Sequence, residues 1–282
     1  MNLERIAVVG AGTMGHGIAQ VLAAAGCDVA LTDTTEQAVD NALNKIAHSL
    51  ERFCQKGTIG PEDKAATLAR LRPCASLSEL GDRQLVIEAA SEDESVKRTI
   101  FQALDRHCAP NAILASNTSS IPLTRIAAWT GRPQQVIGMH FMNPVPLMPL
   151  VEVICGLTTS DMTKQKVIAL AHQAGKTPVA VQDAPGFVSN RILMPMINEA
   201  VFALHEHVAT AEDIDQVMKL GMRHPLGPLA LADLIGLDTC LSIMDVLYRE
   251  FRDSKYRACP LLAQKVAAGQ LGQKSGQGFY RY

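Results

Sequence analysis

Up to about residue 185, short apolar runs alternate with stretches in which apolar residues recur every three or four positions. Short apolar runs bounded by polar residues or glycine indicate buried strands, and the longer spacing indicates helices with one buried face. Strands alternating with helices predict an α/β domain built on a mostly parallel sheet. The predicted strands are "RIAVVG", "DVALTD", "QLVIEAA", "AILASN", "QVIGMHF", "LVEVICG" and "PVAVQD".

Beyond this region the strand signals stop. Residues 188–207 keep helical spacing, and Thr210 followed by Asp213 resembles the capping arrangement that begins a helix. The later apolar segments are also helical in pattern. We therefore predict a sheet domain at residues 1–185 and an all-helical domain at residues 186–282.

Composition narrows the class of protein. The chain has 282 residues, of which 48% are hydrophobic and 19% charged, and its net charge is -2. Such a balance gives no reason to expect a nucleic-acid partner or a membrane surface. Its seven cysteines are scattered, with no C-x-x-C pair and no zinc-type spacing. They are typical of reduced thiols, so we expect a cytoplasmic protein without a metal site.

A glycine-rich turn follows the first predicted strand. "VVGAGTMGHG" places Gly10, Gly12 and Gly15 in G-x-G-x-x-G spacing at the start of a helix. This context is typical of the Rossmann dinucleotide fold, in which the helix N-terminus faces the pyrophosphate. Asp33 ends the second strand, where a carboxylate accepts the ribose hydroxyls of NAD and repels the 2′-phosphate of NADP. The alternative is a glycine turn in an unrelated α/β protein.

His140 ends one predicted strand and Glu152 lies inside the next. Histidine is suited to removing a hydroxyl proton near neutral pH, and a nearby carboxylate would orient its ring and favour the protonated form. Pro144, Pro146 and Pro149 exclude a helix between the two strands and stiffen the connection. A purely structural ion pair explains the same spacing equally well.

Two further segments carry polar side chains toward a possible site. "ASNTSSIP" follows a strand and offers Asn117, Ser119 and Ser120 as hydrogen-bond donors, although such a stretch is also typical of a turn. "DAPGFVSNRI" lies at the domain junction, where Asn190 and Arg191 open a helix. A helix N-terminus at a hinge is the alternative interpretation of that segment.

Taken in order, these motifs resemble the short-chain 3-hydroxyacyl-CoA dehydrogenase family, and within it the bacterial 3-hydroxybutyryl-CoA dehydrogenases. The resemblance covers essentially the whole chain. It rests on the blocks "GAGTMGHGIAQ", "LVIEAA", "ILASNTSSIP", "GMHFMNPVP", "LVEVI", "APGFVSNRILMPMINEA", "EDIDQVMKLG", "HPLGPLALADLIGLD" and "KSGQGFY".

The resemblance implies a role for individual residues. His140 matches the general acid/base of the family and Glu152 its partner. Ser119 and Asn190 match residues that hydrogen-bond around the reacting oxygen, and Ser119 also matches a substrate contact. The cofactor contacts that it implies are Gly10, Gly12, Gly15, Asp33, Glu92, Lys97, Asn143 and Lys274.

The same resemblance implies a role in substrate binding for the predicted helix at about residues 36–56. Ser49 and Lys56 match residues that contact coenzyme A. Lys45, Ser49, Arg52 and Lys56 follow at steps of four, three and four, so they share one face of the helix. A basic face suits a polyanionic ADP group, whereas most such charge runs are simply solvated.

The implied activity is reversible oxidation of an (S)-3-hydroxyacyl-CoA, 3-hydroxybutyryl-CoA above all, to the 3-oxoacyl-CoA with NAD. Alternatives are a dehydrogenase of a free hydroxy acid or of a sugar acid such as L-gulonate, and an NAD-binding protein without turnover. The family also implies a homodimer formed through the helical domain. Met142 and Pro149 depart from the family pattern, in which an aromatic residue and a lysine are usual, so they affect the expected acyl preference.

Overall fold

The computed structural model describes residues 3–282, which form two compact units with their boundary between Asp183 and Ala184. The strands of the first unit are β1 Arg5–Val9, β2 Asp28–Thr32, β3 Leu71–Pro73, β4 Leu85–Glu88, β5 Ile113–Ser116, β6 Val136–Phe141, β7 Leu150–Cys155 and β8 Thr177–Gln182. Its helices are α1 Thr13–Ala24, α2 Glu36–Gln55, α3 Pro61–Ala69, α4 Glu94–His107, α5 Leu123–Ala127 and α6 Asp161–Gln173.

One eight-stranded sheet organises the first unit, in the order β3-β2-β1-β4-β5-β6-β7-β8. Neighbouring strands are parallel except for β6 and β7, which are antiparallel. The order reverses between β1 and β4, and the carboxyl ends of the strands beside such a point are where open α/β sheets bind ligands. The prediction of a mostly parallel sheet covered by helices is confirmed.

All seven predicted strands are present, each within two residues of its predicted ends. The sequence analysis missed β3, which has three residues and includes Arg72 and Pro73. A strand this short at the sheet edge leaves no period-two pattern to detect. Most strands of the sheet centre are buried on both faces, which explains why their sequences are continuously apolar.

The second unit contains α7 Ser189–His205, α8 Ala211–Gly221, α9 Pro228–Ile235, α10 Leu237–Phe251 and α11 Pro260–Ala267. The predicted capping arrangement at α8 is confirmed, because Thr210 Oγ1 accepts from Asp213 N at 3.2 Å. Asp233 is buried and accepts from Phe279 N and Tyr280 N, both at 2.9 Å, so it anchors the chain's last residues. None of the helices in residues 3–282 is both long and apolar enough to cross a membrane.

Candidate active site

His140 and Glu152 are direct cross-strand partners in the antiparallel pair β6 and β7. Side chains at opposed positions point to the same face of a sheet, which brings these two together although they are twelve residues apart. His140 Nδ1 lies 2.8 Å from Glu152 Oε2, and both side chains are buried. The geometry is that of an imidazole held in a fixed orientation by a carboxylate.

A buried lysine binds the backbone of the proline-containing connection between these strands. Lys176, the residue before β8, is buried and donates from Nζ to the carbonyl oxygens of Val145 and Met148, at 2.5 and 2.8 Å. Removal from water lowers the pKa of Lys176. The sequence analysis missed this contact, since the lysine lies about thirty residues away from the carbonyls that it binds.

Glu92 organises the segment that carries Ser119. Its Oε1 accepts from Thr118 Oγ1 at 2.6 Å, from Ser119 N at 3.0 Å, and from both the backbone and the hydroxyl of Ser120, at 3.0 and 2.8 Å. Burial alone would raise the pKa of Glu92, but the Lys97 ammonium and these donors outweigh it and hold the pKa below its usual value. The predicted "ASNTSSIP" turn therefore closes around a carboxylate.

Lys97 is 1% exposed and lies between two carboxylates. Its Nζ is 2.7 Å from Glu88 Oε1 and 3.3 Å from Glu92 Oε2. Glu88, at the end of β4, also accepts from Ser116 Oγ at 2.6 Å. Glu88 was not among the predicted site residues, although an acidic residue at the end of an apolar strand can indicate a functional site.

Asn117 and Asn143 flank the histidine strand in different ways. Asn117 Oδ1 accepts from the backbone N–H of Phe141 at 2.9 Å, so its oxygen fixes the residue next to His140. Asn143 is exposed on the connection to β7. A cofactor contact by Asn143 stays a prediction, as do those by Glu92 and Lys97.

The glycine-rich turn fits a dinucleotide. Gly10 has φ of +103°, a left-handed conformation that favours glycine. A Cβ at Gly15 would collide with the carbonyl oxygen of Gly10, whereas a Cβ at Gly12 would meet no protein atom within 4 Å. Helix α1 begins at Thr13, without a side-chain cap and without an acidic residue in its first turn. Its backbone N–H groups and the open side of Gly12 leave room for a pyrophosphate.

Asp33 lies beside this turn at the end of β2. Its Oδ2 accepts from Ala11 N and its Oδ1 from Thr34 N, both at 2.6 Å. Burial acts to raise the pKa of Asp33, but these backbone N–H groups hold it below its usual value. The surrounding pocket, of about 640 Å³, includes Gly10, Gly12 and Asp33 and has no lysine or arginine among its lining residues. This donor and acceptor set fits NAD, since the 2′-phosphate of NADP would face a carboxylate without a cation.

A second pocket, of about 550 Å³, lies against α2 and is called the basic pocket below. It brings the four residues of the predicted stripe together with α1 and the proline-containing connection. Its lining residues are His16, Gln20, Asn44, Lys45, His48, Ser49, Arg52, Phe53, Lys56, Pro144, Pro146 and Leu147. Three lysine or arginine side chains with no carboxylate among the lining residues suit a polyanionic ligand.

Two predicted residues belong to the second unit. Asn190 is buried near the start of α7, where its backbone N–H donates to Gly186 O at 3.1 Å. Lys274 Nζ is 2.7 Å from Asp238 Oδ2 and forms an ion pair with the same carboxylate. The roles assigned to Asn190 and Lys274 stay predictions.

All seven cysteines are free thiols, and burial raises the pKa of Cys27 and Cys108 to about 11. Within residues 3–282, no three histidine, cysteine, aspartate or glutamate side chains are arranged to hold a metal ion.

Two family models together cover almost the whole chain. The "3-hydroxyacyl-CoA dehydrogenase, NAD binding domain" matches residues 5–184, and the "3-hydroxyacyl-CoA dehydrogenase, C-terminal domain" matches residues 186–282. The two matches meet within a few residues of the boundary between the compact units.

Two relatives and one solved structure are similar to this chain over nearly their full lengths. A probable 3-hydroxybutyryl-CoA dehydrogenase of Bacillus subtilis is 55% identical over 100% of this chain and 98% of its own. A 3-hydroxybutyryl-CoA dehydrogenase of Clostridioides difficile is 50% identical over 99% of each chain. The crystal structure of (S)-3-hydroxybutyryl-CoA dehydrogenase from Ralstonia eutropha has a TM-score of 0.97 at 50% identity, covering 100% of this chain and 99% of that chain.

Proposed function

The chain belongs to the 3-hydroxyacyl-CoA dehydrogenase family and is an NAD-dependent oxidoreductase, and from that premise we propose that it interconverts (S)-3-hydroxybutyryl-CoA and acetoacetyl-CoA. The substrate is the one named for relatives that are 50% and 55% identical along essentially the full chain. The observation that carries the proposal is the buried His140–Glu152 pair, which supplies an oriented acid/base.

His140 is the proton-transfer group of the proposed mechanism. Its Nδ1 faces Glu152, so Nε2 is the nitrogen that takes the hydroxyl proton in oxidation and returns it in reduction. The Glu152 carboxylate stabilises the imidazolium formed in the first direction and keeps the ring aligned. When bound, NAD supplies the hydride acceptor.

Ser119 and Asn190 complete the proposed set around the reacting oxygen, on the strength of the family resemblance. For Ser119, the support is its place in a segment whose backbone is fixed by Glu92. A hydroxyl on a fixed segment can donate to a carbonyl oxygen without first losing conformational freedom. Ser119 therefore polarises the reacting oxygen through a hydrogen bond and keeps its own proton.

The cofactor is proposed to lie on the glycine-rich turn, with its pyrophosphate against Gly12 and the N–H groups that open α1. Asp33 is the proposed partner of the adenosine ribose, because its carboxylate already lies beside that turn. Glu92, Lys97, Asn143 and Lys274 remain the proposed contacts toward the nicotinamide end.

A coenzyme A thioester is favoured over a free acid by the basic pocket. Lys45, Arg52 and Lys56 give its lining a positive charge that a small hydroxy acid does not require, whereas the phosphates of coenzyme A do. The non-catalytic alternative is disfavoured by the buried His140–Glu152 pair, since two well-packed apolar residues would support the same sheet without an ionisable group.

We also propose a homodimeric assembly and a cytoplasmic location. The second unit exposes many large apolar side chains, which supports a homodimer formed through it. They are Val188, Ile192, Val208, Val217, Leu220, Met222, Leu234, Tyr248 and Tyr282. Seven free cysteines support a reducing compartment such as the cytoplasm.

The substrate class is tested by comparing NADH oxidation with acetoacetyl-CoA, with a longer 3-oxoacyl-CoA and with free acetoacetate. We expect turnover on the C4 thioester, and a higher KM for it in Arg52→Glu/Lys56→Glu, because the phosphates then face two carboxylates. A matched double change outside both pockets, Lys164→Glu/Lys166→Glu in α6, should leave KM unchanged. Faster turnover of free acetoacetate, insensitive to the α2 variant, would favour the free-acid alternative.

A further inference from the structure

The segment that carries Ser119 takes much of its shape from side chains. It runs from Thr118 to Thr124 and is called the Ser119 segment below. Each of its backbone N–H groups donates to a side-chain oxygen, and Pro122 has no N–H to donate. The acceptors are Ser116 Oγ, Glu92 Oε1, Thr118 Oγ1 and the two carboxylate oxygens of Asp183. Such a segment keeps its conformation only while those side chains hold it.

Asp183 holds the later part of this segment. Its Oδ1 accepts from Leu123 N at 3.0 Å, and its Oδ2 accepts from Thr124 N at 2.8 Å. These are the first two N–H groups of α5, which have no acceptor within the helix, and the preceding Pro122 makes no side-chain cap. An aspartate about sixty residues later in the chain therefore caps α5.

Asp183 is itself held by the sheet. It directly follows β8, and its backbone N–H donates to Cys155 O at 3.0 Å, which continues the pairing of β8 with β7. It is also the last residue of the first unit. Its carboxylate therefore joins the sheet, at the point where the chain leaves the first unit, to the start of α5.

A short and restrained stretch of chain connects this cap to Ser119. Glu92 holds the earlier part of the Ser119 segment, and Ile121 N donates to Thr118 Oγ1 at 2.9 Å, which ties the middle back to that part. Pro122 restricts the backbone next to it. A displacement at Leu123 is therefore passed on to Ser119 instead of being absorbed by a flexible linker.

We propose that Asp183 is a positioning residue for the reaction. By fixing the start of α5, it keeps the Ser119 hydroxyl where it can donate to the reacting oxygen, so it acts through Ser119 rather than on the substrate. Stabilisation of developing charge depends on where the donor lies, and a misplacement of about 1 Å can cost roughly 10²-fold in rate. This inference rests on the proposed function, since it assumes that Ser119 binds the oxygen of the substrate.

The test is a double-mutant cycle on kcat for NADH oxidation by saturating acetoacetyl-CoA in the full-length protein. In Asp183→Asn the amide oxygen can accept from one N–H, but the NH₂ group faces the other. We expect kcat to fall roughly tenfold, with the Kd for NADH unchanged. Ser119→Ala removes the hydroxyl and should lower kcat roughly 10²-fold. Once the hydroxyl is gone its position no longer matters, so adding Asp183→Asn to Ser119→Ala should lower kcat by less than about twofold.

Asp215→Asn is the matched control. Asp215 also caps a helix from a distance, since it accepts from Leu229 N at 2.8 Å and from Ala230 N at 2.9 Å at the start of α9. It is more deeply buried than Asp183, so the control should lower the Tm at least as much. Any factor by which it lowers kcat should be the same with and without the Ser119 hydroxyl. Lost stability alone therefore does not produce the expected coupling.

Two results would overturn the inference and leave the proposed function intact. One is an equal fold loss of kcat from Asp183→Asn in the wild-type and Ser119→Ala backgrounds, which would make Asp183 a structural cap only. The other is full kcat in Asp183→Asn. If that variant does not fold, Asp183→Ser carries the same cycle with the same two contrary results, because its hydroxyl can still accept from one N–H.

Failure of the underlying proposal is recognised separately. If Ser119→Ala keeps full kcat while the wild type turns over acetoacetyl-CoA, Ser119 is not the donor, and the role of Asp183 is refuted together with that assignment. If the wild type binds NADH but turns over no thioester, the proposed function itself is wrong, and the inference is wrong with it.

Discussion

Two clusters in the sheet unit each place a buried basic side chain, His140 or Lys97, against carboxylate groups, and we assign the two clusters different roles. His140 faces the single carboxylate of Glu152 across an antiparallel strand pair, at 2.8 Å. Lys97 lies between Glu88 and Glu92, at 2.7 and 3.3 Å. The Lys97–Glu88 contact matches the His140–Glu152 contact in distance and burial, so neither quantity distinguishes a proposed acid/base from a framework contact.

The difference lies in what each basic group can do once paired. An imidazole with one nitrogen on a carboxylate has a second nitrogen through which a proton can pass, whereas an ammonium has donors only. The Glu88 and Glu92 carboxylates that hold Lys97 also accept from Ser116 and from the Ser119 segment, so moving the lysine would disturb several elements together. The proposed chemistry therefore depends on the His140–Glu152 cluster, whereas the fixed position of Ser119 depends on the Lys97 cluster.

The largest effect on stability is expected for Lys97→Met. Removing one member of a buried ionic cluster leaves the other charges unpaired, which costs about 3–5 kcal/mol. Urea unfolding should show this loss, and Arg98→Met should change the free energy of unfolding by less than about 1 kcal/mol, because its ion pair is exposed. Equal effects of the two variants would contradict a framework role for Lys97.

Glu152→Gln tests the other cluster. The amide oxygen can still accept from the ring, but the negative charge that stabilises an imidazolium is gone. We expect kcat to fall about 10²-fold, the lower end of what a positioned acid/base supplies, with KM for NADH unchanged. Glu199→Gln, on the exposed side of α7, is the matched control. Retention of full kcat in Glu152→Gln would make the pair structural.

In the glycine-rich turn, one glycine is needed for packing and another is placed beside the proposed cofactor site. Gly12→Ala places a Cβ in open space, so the protein should remain stable while the Kd for NADH rises roughly tenfold, or ~1.4 kcal/mol. Gly15→Ala should instead lower the Tm, because its Cβ collides with Gly10 O. Thermal unfolding and NADH titration separate the two effects. Loss of stability in Gly12→Ala with normal NADH affinity in the folded fraction would reverse the assignment.

The smallest effect concerns acid stability. The pKa of Glu92 is held below its ordinary value of 4.5, so the unfolded chain binds its proton first as the pH falls. The stability that this carboxylate contributes is therefore present above the ordinary value and is lost as the pH falls through the lowered pKa. Unfolding free energy measured from pH 6 downward should decline less steeply in Glu92→Gln than in the wild type. Parallel curves would contradict this account of the Ser119 segment.

Much of the fold could be predicted from the sequence because the sheet centre is buried on both faces. Strands such as Leu85–Glu88 and Ile113–Ser116 must be continuously apolar, and the helices between them must be apolar on one side. The edge strand Leu71–Pro73 obeys neither rule, so it was missed. The short apolar runs also did not reveal that Leu150–Cys155 runs antiparallel to its neighbour Val136–Phe141.

The candidate site was predictable where local sequence determines geometry. The glycine spacing and Asp33 are of this kind, since turn, helix start and strand end are adjacent in the chain. Two contacts were not predictable because they depend on tertiary structure: Lys176 reaches carbonyls about thirty positions back, and Lys97 of α4 meets Glu88 at the end of β4.

We propose that His140 transfers the proton in an NAD-dependent reaction on a 3-hydroxyacyl-CoA. The most direct test of this proposal is kcat for NADH oxidation by acetoacetyl-CoA in His140→Ala, with NADH affinity measured in the same preparation and His172→Ala as the exposed control. The account predicts a loss of about 10²–10⁴-fold in kcat with unchanged NADH affinity. A variant that keeps most of its turnover, or that loses turnover only in proportion to NADH binding, would contradict it.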